Sequence, residues 1–129
     1  MLALDTNLIV RYLVGDDPSQ AARARKIIDN NDVFVGLTVL LETEWVLRSV
    51  YGFSMRACAK ALRDFAGLPR VTVRDAQVAA RALAWMDQGL DFADGLHLAQ
   101  AEGCDAFVSF DRDFAATANA LDGIKVRAP

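Results

Sequence analysis

A chain of 129 residues can bury one sizeable core without disulfide or metal staples, and it reads as a single domain over residues 1–129. Its 53% hydrophobic content is rich for this length, so a partner or a second copy is expected to cover some apolar surface. No apolar run reaches the roughly 20 residues of a membrane span and no basic stretch leads into an apolar one at the N-terminus, which indicates a soluble, cytoplasmic protein.

Leu2–Leu4 is a short apolar run that stops at Asp5 and reads as a buried strand. Asp5 or Thr6 then caps a helix through Val14, with Leu8, Ile9, Tyr12 and Leu13 on its inner face. Asp17-Pro18 opens a second helix, whose RARK run from Arg23 to Lys26 reads as a solvated face. Val33–Val35 is a second strand ending at Gly36. Thr38 is expected to cap a third helix carrying Glu42, Trp45, Val46 and Val50, and Ser54 a fourth that ends near Gly67-Leu-Pro69. Val71–Val73 is a third strand, and Asp75 is expected to cap a fifth helix through Met86. A helix from Asp91 to about Glu102, a strand at Ala106–Val108, a short helix and an extended piece at Ile124–Val126 complete the pattern. Short strands, apolar on both faces and alternating with helices, indicate an α/β sandwich with a mainly parallel sheet. Trp45 and Trp85 are expected in core or interface, and Cys58 and Cys104 as buried reduced thiols.

Acid usage is uneven, with fourteen Asp against three Glu, and Asp ordinarily caps helices and closes turns. Ligands of open parallel sheets collect beyond the carboxyl ends of the strands. Asp5 ends the first strand, Glu42 lies in the helix after the second and Asp111 just past the fourth, so three acids are expected at one sheet edge. Asp94 stands in the first turn of its helix and is placed less firmly. For Asp5 and Glu42 the functional reading is favoured, while Glu44 is expected to be solvated. Asp91 and Asp94 read equally as an N-cap with its capping-box acid or as ligands, and Asp111 and Asp113 equally as turn and cap or as ligands. His97, the only histidine, reads as an ordinary helix residue. Converging carboxylates repel unless a cation screens them, and hard oxygen donors without clustered His or Cys suit Mg²⁺ or Mn²⁺ and metal-assisted phosphodiester hydrolysis. The net charge of −3 does not exclude nucleic acid, because four carboxylates drawn into a metal site would leave the remainder at +1. Arginine outnumbers lysine eleven to three, and its planar fork suits phosphate.

Three stretches, LALDTNLIVRYLVGDDPSQAARAR, LTVLLETEWVLRSVYG and DFADGLHLAQAEGCDAFVSFDRDF, resemble in order and spacing the blocks of PIN-domain ribonucleases of the VapC toxin type. In that resemblance Asp5, Glu42, Asp94 and Asp111 match the four metal-binding, catalytic acids. Asp91, Thr6, Asn7 and Ser109 match positions typical of the family, and these four with Asp113 are expected to be auxiliary. Gly95 is a mild departure where the family often has a better helix former. The resemblance implies a three-layer α/β/α fold around a mainly parallel sheet, Mg²⁺- or Mn²⁺-dependent endoribonuclease activity on an RNA substrate, a homodimer, and a cognate antitoxin protein that holds the toxin inactive. The rival readings are a non-enzymatic receiver-type domain, for which no lysine follows a strand at a suitable place, and a binding domain that keeps the acidic metal site.

Overall fold

The computed structural model describes residues 1–129 and divides into two compact units, Met1–Ala76 and Gln77–Pro129. The first unit contains three short strands, β1 (Leu2–Ala3), β2 (Val33–Val35) and β3 (Val71–Val73), paired in the order β1-β2-β3 and all parallel. Parallel neighbours need crossovers, and helices supply them. The helices α1 (Thr6–Val14) and α2 (Pro18–Asn30) join β1 to β2, and α3 (Leu37–Ser49) and α4 (Met55–Ala66) join β2 to β3.

Local chemistry sets the helix ends. Asp5, in extended backbone, caps α1 by accepting from the Thr6 N–H, and Gly15 ends it in the left-handed region at φ 72°. Asp17 caps α2 with Pro18 in its first turn, and Ser54 caps α4 through the Ala57 N–H. The expected cap at Thr38 is not found. Helix α3 starts at Leu37 behind Gly36, with no side-chain cap bond. Asp75 sits at φ 49°, outside the extended conformation of an N-cap, immediately before the helix that begins at Ala76.

The core of this unit forms where the central strand meets the helices. Val33 and Val35 of β2 are wholly buried, as are Ile9, Leu40, Leu47, Cys58, Ala59 and Leu62. On α4 the buried residues Cys58, Ala59, Leu62 and Phe65 fall on one helical stripe. On α1 the buried pair is Ile9 and Val10, while Leu8, Tyr12 and Leu13 are only half-buried. The RARK segment is solvated except for Ala24, and the Arg25 guanidinium lies 5.2 Å over the Tyr12 ring. Trp45 is 54% exposed, so it is not a core residue.

The second unit holds α5 (Ala76–Met86) from its second residue on, α6 (Phe92–Gln100), β4 (Phe107–Val108), α7 (Arg112–Ala118) and β5 (Val126–Arg127), with β4 and β5 parallel. Helix α6 stops at Gln100, two residues earlier than its pattern suggests. Trp85, Leu90, Leu98, Ala99, Phe114, Ala118 and Val126 form its buried cluster. Trp85 is fixed from three sides. Its Nε1–H donates to Asp122 at 2.7 Å, the Arg81 guanidinium lies 4.7 Å over its ring, and Gly123 leaves no Cβ to clash with the ring edge. Asn119 clamps α7 to β5 by donating to the Val126 carbonyl at 2.8 Å and accepting from the Val126 N–H at 2.9 Å. Cys104 is exposed, unlike the buried Cys58, because it falls in the turn before β4 rather than on a packed helix face. The chain is thus α/β with every strand pair parallel, as the alternation of short strands and helices led one to expect.

Candidate metal centre

In the first unit, β1 and β2 run parallel, so the connections that leave them start from the same sheet edge. Asp5 follows β1 directly, and Glu42 lies one turn into α3 beyond β2. Buried Thr6 joins them. Its hydroxyl donates to Glu42 Oε1, while its own N–H is held by Asp5 Oδ1 at 2.7 Å. The Glu42 side chain is exposed and its second oxygen has no partner within the unit. Asn7 is exposed and lines a groove of about 750 Å³ between α1 and α2. The groove floor includes Leu8, Ala24 and Ile27, and its rim includes Arg23 and Lys26.

Glu44 departs from expectation. It is 1% exposed, and its carboxylate accepts from Arg48 Nε at 2.6 Å within α3. Glu42 and Glu44 therefore point to different environments, as two positions two apart on a helix must. The i,i+4 spacing of Glu44 and Arg48 is the signal that would have found this pair.

In the second unit the acids gather around Asp94. Asp91 caps α6, accepting from the Asp94 N–H at 3.4 Å, and Asp94 stands in the first turn. Burial first, then the charges of Asp91 and Asp111, hold the Asp94 carboxyl above its ordinary range, while His97 pulls the other way. Asp111 follows β4 and caps α7, accepting from the Phe114 N–H at 3.0 Å. Ser109 Oγ accepts from the Asp111 N–H at 3.0 Å and so fixes that turn. Asp113 is exposed in the first turn of α7.

The capping and functional readings of Asp5, Asp91 and Asp111 thus coincide in part: each is an N-cap, and each carboxylate has a second oxygen. Within neither unit do three or more His, Cys, Asp or Glu side chains converge closely enough to hold a metal ion. The donors nonetheless suit a hard cation. They are oxygens throughout, and Asp94 is half-buried among like charges, a state that a divalent cation would relieve.

Parallel strands with acids on the segments that leave their ends define the class of the fold as α/β. The PIN domain family matches residues 2–120, and the chain belongs to that family. PIN domains are generally nucleases. No curated protein matches the chain closely. No helix is long and apolar enough to cross a membrane.

Proposed function

We propose that the protein is a Mg²⁺- or Mn²⁺-dependent endoribonuclease and acts in the cytoplasm as the toxin of a toxin–antitoxin pair. Its two units work in this reading as one PIN-like domain over residues 1–129. The observation that carries the proposal is the placement of Asp5 and Asp111 just after parallel strands, with Asp94 half-buried in the first turn of α6, in a chain of a nuclease family.

Asp5, Glu42, Asp94 and Asp111 would hold one or two divalent cations, directly or through water, which when bound supply Lewis-acid chemistry for phosphodiester hydrolysis. Thr6 orients Glu42 by donating to one oxygen and leaving the other for coordination. Asp91 positions the first turn of α6, and Ser109 the turn that carries Asp111. Asn7 and Asp113 stand beside these ligands in sequence and assist them. The α1–α2 groove, with an apolar floor and a cationic rim, suits an apolar segment with acidic flanks from an antitoxin. Trp45 and Val50, 54% and 64% exposed on and just past α3, suit a homodimer contact.

Asp5→Asn and Asp94→Asn should each abolish metal-dependent RNA cleavage and lower Mn²⁺ affinity by calorimetry, with the circular-dichroism spectrum unchanged. Full activity in either variant would sink the assignment.

A further inference from the structure

Phe110 is the most exposed large hydrophobic residue of the chain, at 88%. The other phenylalanines of its neighbourhood behave differently. Phe107 and Phe114 pack edge to face, 5.4 Å apart, against the core of the second unit. Phe110 lies between Ser109 and Asp111, and the turn that carries it is tied at three points. The Ser109 N–H donates to the Arg127 carbonyl at 3.0 Å, the Asp111 N–H to Ser109 Oγ at 3.0 Å, and the Phe114 N–H to Asp111 Oδ1 at 3.0 Å. The ring is therefore presented to water from a held backbone, one residue from a proposed metal ligand.

Its surroundings decide what it can receive. Ser109, Asp111 and Arg112 flank it, and Arg112 is exposed without an ion pair. Val108 and Arg127 are register partners on β4 and β5, and both are exposed. A protein-docking face needs contiguous apolar surface. The exposed apolar surface here is Phe110 with Val108, set among Ser109, Arg112, Arg127 and the acids Asp111 and Asp113. It is too small for a docking face and closer to a single-stranded nucleic-acid platform, where the ring takes a base face and the two arginines take phosphates.

We propose that Phe110 is a positioning residue that stacks on an unpaired base of the RNA substrate, next to the phosphodiester served by Asp111. This rests on the ribonuclease reading above. Because any base has a π face, the stack places the strand without by itself selecting a sequence.

The test uses the full chain with single-stranded RNA oligonucleotides, bound in EDTA and followed by fluorescence anisotropy, with an abasic nucleotide moved along the strand. Phe110→Ala should weaken binding about tenfold or more, as alanine does at base-stacking aromatics. Phe110→Tyr and Phe110→Trp should restore binding. One abasic position should weaken wild type by a similar factor and add nothing to the loss in Phe110→Ala. In Mg²⁺, Phe110→Ala should raise KM with kcat at saturation retained. Wild-type affinity and KM in Phe110→Ala would overturn the proposal, as would additive losses from the variant and every abasic position. A change in oligomeric state with RNA affinity intact would assign the ring to a protein contact and overturn it too. If wild type neither binds nor cleaves RNA in any divalent metal, the ribonuclease reading itself fails, a result distinct from failure at residue 110 alone.

Discussion

Replacing Arg48 with methionine should cost the fold far more than replacing its partner Glu44 with methionine, although both changes break the same ion pair. The asymmetry follows from exposure. The Glu44 side chain is 2% exposed and that of Arg48 is 37% exposed. Without Glu44 the guanidinium turns to water, and the loss approaches that of a surface i,i+4 pair, about 0.5 kcal/mol, offset by burial of an apolar side chain of similar size. Without Arg48 the Glu44 carboxylate is stranded in the core of the first unit. Breaking a buried pair from one side costs about 3–5 kcal/mol, and partial access of water around Arg48 favours the lower end, about 3 kcal/mol. With a urea slope of about 1–3 kcal/mol/M, that moves the denaturation midpoint down by at least about 1 M. Arg48 also makes a further contact, which its removal loses. The double variant isolates that part, because it lacks the stranded charge. It should be more stable than Arg48→Met alone by about 2 kcal/mol. Equal losses in the two single variants, or strict additivity in the double, would refute the reasoning.

Two further outcomes can be checked on the same protein. Gly95→Ala should lower stability in urea despite the better helix propensity of alanine, because a Cβ there would lie 3.2 Å from both Cα and Cβ of Ala82 in mid-α5. Overpacking of about 1–3 kcal/mol then outweighs a propensity gain of about 1 kcal/mol. With a thiol reagent at pH 8, Cys104 should react promptly and Cys58 only through unfolding. Burial, then the charge of Glu44, pushes the Cys58 thiol up to about 11, so its reactive thiolate form grows only as pH rises toward that value. Cys104→Ser should remove the fast phase entirely, and Arg48→Met, by lowering stability, should speed Cys58 labelling more than Glu44→Met does.

Much of the architecture was legible because its signals are local. Asp17-Pro18, Ser54 and the β-branched or aromatic runs Val33–Val35 and Val71–Val73 each state their element within a few residues. Asp5, at the end of an apolar run, announced its position beyond β1 in the same way. What escaped depends on tertiary surroundings. Glu44 has no local mark of burial beyond its spacing to Arg48, so charge alone suggested solvent. Trp45 and Trp85 both read as core or interface, and only the structure separates them: Trp85 is buried with Asp122, Arg81 and Gly123 around it, while Trp45 is exposed. Gly95 read as a departure from a good helix former, whereas close packing on Ala82 accounts for it. The ambiguity between caps and ligands at Asp91 and Asp111 was real. Each carboxylate does cap a helix, and capping does not by itself decide against a second role.

The parallel pairing of β4 with β5 also sets an order of assembly. The turn bearing Asp111 is anchored through the Ser109 N–H to the carbonyl of Arg127, sixteen residues beyond that acid. During synthesis, Asp5, Thr6 and Glu42 have emerged long before that anchor exists. A nascent chain accordingly carries the first group of acids well before the turn that bears Asp111 can be secured, which waits until residue 127 has been made.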